Sequence, residues 1–267
     1  MEGQHVLITG AAGGIGFTIA RVFLEQGANV SLHYNRTFET LTPLLNEYND
    51  RCFAQSVNGT DEQAVIKSVE ESCARFGLIN VCIINHAIFV DEDIPIWDMS
   101  LTQWQRTIDV NLTSYFLYSR EWCRQLKRLK STVNDIDNLN ANLILIGSSA
   151  GQFGEANHLD YATSKGALHS GFIKSLKNEI VHLHPCARIN IVAPGWTRTP
   201  MAESSIEQGK HLKALRTTPL RKVATTDDVA QACLFFASNR TAAHLTGNVL
   251  MVHGGMEGRV LWPENLE

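Results

Sequence analysis

The sequence has no CxxC pair, no long basic run, no apolar stretch of membrane-spanning length and no internal repeat or low-complexity segment. Each absence removes a class of protein. The six cysteines, Cys52, Cys73, Cys82, Cys123, Cys186 and Cys233, are dispersed, and most sit inside apolar runs, where a free thiol behaves as a small hydrophobe. This argues against a disulfide frame and against a zinc site, and it suits a reducing compartment. No metal is expected. A formal net charge of −4 without a basic run makes nucleic acid an unexpected partner. The basic group Arg124, Lys127, Arg128 and Lys130 fits one solvated face of an amphipathic helix. A bilayer span needs roughly 20 consecutive apolar residues; none is present, and no membrane partner is expected. The opening MEGQHVLITG enters a strand pattern with no signal-peptide pattern, so the expected location is cytoplasmic. On that expectation the Asn-x-Thr sequons at Asn35, Asn58, Asn111 and Asn239 carry no glycosylation.

What the sequence has is 44% hydrophobic residues over 267 positions, enough for one sizeable core and a single domain spanning 1–267. Short apolar runs alternate with longer helical patterns. The runs are HVLIT (5–9), NVSLHY (29–34), CFAQS (52–56), VCIIN (81–85), NLILIGS (142–148), ARINIV (187–192) and VLMV (249–252). Several are rich in Val and Ile, as strands buried on both faces of a parallel sheet should be. Strand alternating with helix predicts an α/β fold of the Rossmann type, a doubly wound parallel sheet with helices on both faces. Thr60-x-x-Gln63 and Ser100-x-x-Gln103 read as capping boxes, and Thr226-Asp227-Asp228 places acids at a helix start, where the macrodipole favours them. Two stretches depart from compact alternation. Residues 131–141 are polar and read as an extended surface loop before the fifth strand. Residues 194–219 follow the carboxyl end of the sixth strand and are expected to form a mobile lid over a ligand.

Directly after the first strand comes TGAAGGIG (9–16), leading into a helix. A glycine-rich turn between strand and helix lets backbone N–H groups approach a pyrophosphate, and the helix dipole favours its charge. Gly10, Gly14 and Gly16 take that role, against the plainer reading of a tight turn. The end of the second strand, LHYNRT, discriminates between the two nicotinamide dinucleotides. Tyr34 stands where an NAD site places an acid, and Arg36 follows two residues later. A guanidinium binds a 2′-phosphate bidentately where a carboxylate would repel it. The alternative is a solvent-facing arginine. NADP(H) is the favoured cofactor.

The fifth strand ends in ILIGSSAG, and Tyr161-Ala-Thr-Ser-Lys165 follows at a helix start. Four residues apart on a helix, Tyr161 and Lys165 share a face. A tyrosine with an ordinary pKa of about 10 is a poor acid/base near neutrality. A neighbouring ammonium favours the phenolate and is expected to lower that value. YxxxK alone is a common chance pattern. Its value lies in following a strand ending in Ser148-Ser149 on a chain that carries a dinucleotide loop.

Together these segments resemble the short-chain dehydrogenase/reductase family over nearly the whole chain. The segments are TGAAGGIG, INHA (84–87), DVNLTSYF around Asn111, GSSAG (147–151), YATSK (161–165), PGWTRTPM (194–201) and the NVLMVHGG ending. The resemblance implies about seven strands in the order 3-2-1-4-5-6-7. It implies that Tyr161 donates a proton to the substrate oxygen while hydride leaves the nicotinamide. Ser148, thirteen residues before Tyr161, would hydrogen-bond the same oxygen. Lys165 would bind the nicotinamide ribose and tune Tyr161. Asn111 would anchor a water in a proton relay; the plainer reading is a buried, helix-stabilising amide. Ile15, Asn35, Asn85, Ala87, Pro194 and Gly195 would join the cofactor contacts, and Thr197 would meet the carboxamide. Substrate contacts would come from Gln152, Phe153, Gly154, His158, Trp196 and Met201, with Phe153 and Trp196 equally readable as packing residues. A homotetramer or homodimer is implied as well. LHYNRT also looks like the corresponding stretch of pteridine reductases, which supports NADP rather than a pteridine substrate.

Three departures from the family pattern stand out. His86 and Ile88 replace residues of the usual NNAG, with Ile88 in place of its glycine. Ser56 replaces an acid near the adenine. The 131–141 insertion has no assignable role. The expected activity is reduction of a small or secondary-metabolite ketone. The alternatives are NAD-dependent oxidation of a secondary alcohol, or a cofactor-binding relative turned to non-redox chemistry.

Overall fold

The computed structural model describes residues 1–130 and 139–261. The seven apolar runs become strands β1 (His5–Thr9), β2 (Asn29–Tyr34), β3 (Cys52–Ser56), β4 (Ile79–Ile84), β5 (Asn142–Ile146), β6 (Arg188–Pro194) and β7 (Val249–Val252). They pair in parallel in the order β3-β2-β1-β4-β5-β6-β7. β1, β5 and β6 are buried at every position because helices cover both faces, which is why these runs lack in–out alternation. β3 and β7, at the edges, are only partly buried.

The helices are α1 (Gly14–Glu25), α2 (Thr42–Glu47), α3 (Glu62–Phe76), α4 (Leu101–Ile108), α5 (Ser114–Lys130), α6 (Ala150–Phe153), α7 (Leu159–Ala167), α8 (Ile173–Ile180), α9 (Glu203–Glu207), α10 (His211–Leu215), α11 (Thr226–Ala237) and α12 (Asn239–Ala242). A widened π-type turn at Asp109–Thr113 joins α4 to α5, and another at Leu168–Phe172 joins α7 to α8. Such turns interrupt the regular ladder and recur at functional sites.

Alternation within β1 sends Val6 and Ile8 into one core layer and Leu7 into the other. The first layer is completed by Ile19 and Phe23 of α1 and by Val229 and Phe236 of α11. The second is completed by Val69 of α3, Tyr118 and Trp122 of α5, and Ile173 of α8. Each such apolar side chain contributes roughly 1.5–3 kcal/mol relative to exposure. At the amino ends of the strands a polar seam closes the layers. Asn140 Nδ2 donates to Gln4 Oε1 and to the Ala237 carbonyl, both at 2.8 Å, and Asn142 Nδ2 donates to Asn140 Oδ1 at 2.8 Å.

Helix starts differ from the sequence expectation in detail. α3 is capped by Asp61, whose carboxylate accepts from Gln63 and Ala64, and not by Thr60, whose hydroxyl donates to Asn58 Oδ1 at 2.9 Å instead. Ser100 caps α4 by accepting from the Gln103 N–H at 3.1 Å, but Gln103 turns its amide to Asp160 instead of closing the box. The full capping box is Thr225 with Asp228. Of the 131–141 insertion, residues 131–138 lie outside the described residues. Among the described residues no helix is long and apolar enough to cross a membrane. Because β1 lies between β2 and β4, connections leave it to opposite sides and open a crevice at the carboxyl ends of β1 and β4.

Candidate active site

The crevice is a cavity of about 1480 Å³. One wall is the turn after β1. Gly10 there has φ +63°, and a side-chain carbon would stand 2.8 Å from the His86 Cα. At Gly16 a side-chain carbon would collide with the Gly10 carbonyl oxygen. Asn85, at the end of β4, clamps the turn. Its Nδ2 donates to the Thr9 and Gly10 carbonyls, both at 3.1 Å, and its backbone N–H donates to Thr9 Oγ1 at 2.9 Å. Gly13 begins α1 with no side-chain cap, so the first-turn N–H groups of this 12-residue helix stay open to an anion. That arrangement fits a dinucleotide pyrophosphate.

Tyr34, Asn35 and Arg36 line the cavity beyond β2, joined by Asn58 and Thr60 beyond β3. Arg36 is exposed at the rim. The nearest following acid, Glu39, gives its carboxylate to the Phe38 N–H at 3.1 Å. Ser56, where the family pattern has an acid, donates to the Asn35 carbonyl at 3.0 Å and so supports the loop that carries Arg36.

Ser148, Tyr161 and Lys165 line the same cavity beyond β5. Tyr161 is placed by its neighbour Asp160, a buried carboxylate that accepts from Thr107 Oγ1 at 2.6 Å and Gln103 Nε2 at 3.3 Å, pinning α7 to α4. The Tyr161 ring meets Phe89 edge-on, with centroids 5.1 Å apart. Burial pushes the Tyr161 hydroxyl up to about 12; hydrogen bonding to Ser148 works against this, and the Glu155 charge adds to it. The net shift is therefore upward and set by burial, not by Lys165. The Lys165 Nζ is buried 5.9 Å from the Tyr161 ring centroid, and donates to the Ile146 carbonyl at 2.9 Å and to Tyr115 Oη at 3.1 Å. Burial draws Lys165 itself down to about 7. A phenol that stays protonated near neutrality is in the form that can give a proton.

Asn111 sits fully buried in the widened turn and spends both amide atoms on one residue. It accepts from the Ile88 N–H at 2.8 Å and donates to the Ile88 carbonyl at 2.9 Å. Its side chain shapes the loop after β4 and does not line the cavity. His86 bridges Thr9 Oγ1 at 2.7 Å and Ser114 Oγ at 2.5 Å. Burial, and next the Lys165 charge, push it down to about 3, so it is neutral.

On the open side Trp196 and Met201 line the cavity together with Ile88, Phe89 and Leu101. Pro194 at the end of β6, and Gly195 and Thr197 just past it, lie along the same wall, where Thr197 bridges to Ala224. Lys210 Nζ donates to the Asp91 carbonyl at 2.9 Å, linking the 194–219 segment to the loop after β4. Gly10, Gly14, Ile15, Asn85 and Ala87 also lie on the wall. Gly16 and Asn111 stand behind it. Gln152, Phe153 and His158 are not brought to it. The short turn of α6 points Phe153 outward, 45% exposed and 6.0 Å from the His253 ring, with Gln152 exposed beside it. His158 is buried behind Phe89 and lies 3.2 Å from the Asp93 carboxylate. Sequence reasoning missed Phe89, Tyr115 and Glu155, which only the fold brings to Tyr161 and Lys165. Asn58 and Thr60 could have been found, since they follow the carboxyl end of a strand.

A glycine turn after β1 and a Ser, Tyr and Lys group beyond β5, facing one cavity, define an α/β protein of the dehydrogenase type. A family model described as enoyl-(acyl carrier protein) reductase matches residues 10–257. The nodulation protein G of Rhizobium sp. (strain N33) is 33% identical over 258 residues, covering 96% of this chain and 98% of that protein. The 3-oxoacyl-[acyl-carrier-protein] reductase FabG of Chlamydia muridarum is 30% identical over 257 residues, covering 95% and 97%. The crystal structure of a short-chain dehydrogenase/reductase (glucose/ribitol dehydrogenase) from Brucella melitensis superposes with a TM-score of 0.84 at 27% identity, covering 97% of this chain and 98% of that one. The chain belongs to the short-chain dehydrogenase/reductase family and is an oxidoreductase.

Proposed function

We propose that the protein is an NADP(H)-dependent reductase that converts a ketone on a small or secondary-metabolite substrate into a secondary alcohol. One observation carries this reading: a single cavity has Arg36 and an uncapped helix start on one side and Ser148, Tyr161 and Lys165 on the other. Gly10, Gly14, Ile15, Gly16, Asn85 and Ala87 would frame the pyrophosphate. Tyr34, Asn35 and Arg36 would hold the adenosine ribose and its 2′-phosphate, with Lys165, Pro194, Gly195 and Thr197 on the nicotinamide side. NADPH, when bound, supplies the hydride for the carbonyl carbon. Tyr161 gives its phenolic proton to the carbonyl oxygen as negative charge develops there, and Ser148 donates a hydrogen bond to the same oxygen. The Lys165 charge stabilises the phenolate left behind.

The 194–219 segment serves as the lid on the substrate side, with Trp196 and Met201 against the substrate. A single domain over 1–267, a homodimer or homotetramer, and a cytoplasmic location belong to the same reading and rest on the family resemblance. The names of the relatives make 3-oxoacyl thioesters the first substrates to assay. The test is loss of NADPH absorbance with such thioesters and a panel of simple ketones. Tyr161→Phe is expected to lose about 10²–10⁴ of the turnover while NADPH binding, followed by fluorescence, is kept. Unchanged turnover in that variant would overturn the assignment.

A further inference from the structure

We propose that Tyr115 is a positioning residue for Lys165, holding the ammonium through its phenolic oxygen and so setting the pH range over which Lys165 works. This rests on Lys165 assisting Tyr161, as above. Tyr115 is the second residue of α5, just past the widened turn, and it is completely buried. A buried tyrosine hydroxyl needs partners, and this one has three: Lys165 Nζ at 3.1 Å, the His86 carbonyl at 3.0 Å and the Ile146 carbonyl at 3.2 Å. Having one hydrogen, it donates to one carbonyl. An ammonium has no lone pair, so toward Lys165 the Tyr115 oxygen accepts. The Nζ also lies 4.9 Å from the Tyr115 ring centroid.

Lys165 has three N–H donors. Ile146 and Tyr115 take two and leave one for the cavity. Among the described residues no carboxylate forms an ion pair with it. The titratable groups facing it are Tyr161 from its own helix, His169 from the widened turn that follows α7, His86 from just past β4, and Tyr115 from α5. Both histidines are held neutral by burial, His86 down to about 3 and His169 down to about 4. β5 offers only its Ile146 carbonyl. Two oxygen acceptors thus hold the charged form in a buried site, and a hydrogen bond from an ionised donor is stronger than one from its neutral form. Asn111 makes no hydrogen bond to Lys165; the bonds its amide makes are to Ile88.

The test is the pH profile of kcat/KM for NADPH-dependent reduction, using a ketone that the wild type turns over. Lys165 is charged below its pKa, so activity falls as pH rises through it. Tyr115→Phe keeps the ring and removes only the oxygen, and is expected to move this alkaline limb down by about one pH unit. Tyr118→Phe is the control. It removes another buried hydroxyl from α5, one that pairs with His33 at 3.2 Å and with Ser68 instead of Lys165, and should leave the limb in place. If the Phe variant does not fold, as judged by circular dichroism, Tyr115→Met must give the same shift. An unmoved limb in the Tyr115 variant, or an equal shift in both tyrosine variants, overturns the proposal. Neither result touches the Tyr161→Phe test, so failure of the general assignment is separately visible.

Discussion

Arg36→Ala provides the sharpest test of cofactor choice, because only one of the two nicotinamide dinucleotides carries the group that Arg36 would hold. A charge-assisted hydrogen bond to a phosphate is worth about 1.5–3 kcal/mol. Arg36 lies exposed at the cavity rim, so solvent and salt screen the pair and the lower figure applies. About 1.5 kcal/mol corresponds to roughly a tenfold change in affinity. NADH has no 2′-phosphate and should bind the variant as it binds the wild type. The measurement is the dissociation constant for each cofactor by fluorescence, repeated at about 0.1 M and about 1 M salt, where the Debye length falls from roughly 10 Å to roughly 3 Å. The expected outcome is a tenfold weaker grip on NADPH in the variant, with a smaller difference at high salt. Equal weakening for both cofactors, or a wild type that prefers NADH, would refute the reasoning.

Two further predictions concern stability. Thr107→Val removes a 2.6 Å donor from the buried Asp160 carboxylate and should cost about 1–3 kcal/mol in urea denaturation; a loss below about 0.5 kcal/mol would show that α7 is not held through this bond. Burial pushes His33 and His86 down to about 3 and His5 down to about 4, so the unfolded chain takes up protons that the native protein refuses. Their contribution is present above the unfolded histidine value of about 6.5 and is lost as pH falls through this interval, by at most about 1.4 kcal/mol per pH unit and histidine. Tm measured by calorimetry should therefore decline steadily from pH 6.5 to pH 4, and a flat Tm there would contradict it.

Periodicity made the sheet legible in the sequence because parallel strands covered on both faces leave uninterrupted apolar runs. β1, β2, β3 and β7 coincide with those runs to the residue. β4 begins earlier, at Ile79, because Asn80 breaks the apolar pattern without breaking the strand. β6 continues to Pro194, whose carbonyl still accepts from the Ser149 N–H at 2.8 Å, so its missing donor does not end the pairing. In the candidate site, Ser148, Tyr161 and Lys165 could be read from spacing because a strand end and one helix turn fix them locally. Their environment could not. Glu155 and Phe89 reach Tyr161 from separate loops, and Tyr115 reaches Lys165 from a different helix. Burial first, with the Glu155 charge adding to it, raises the Tyr161 hydroxyl where the YxxxK spacing implied a lowering. Phe153 and His158 show the converse: proximity in sequence to Ser148 and Tyr161 says nothing about which way a short helical turn directs a side chain.

The Asn140 seam ties the amino ends of the strands at Gln4, Asn142 and Ala237, while every group assigned to chemistry lies at the opposite ends. The seam and the groups assigned to chemistry thus lie at opposite ends of the strands. Substitutions in the loops around Ile88, Trp196 and Met201 can therefore change what enters the cavity without loosening the seam.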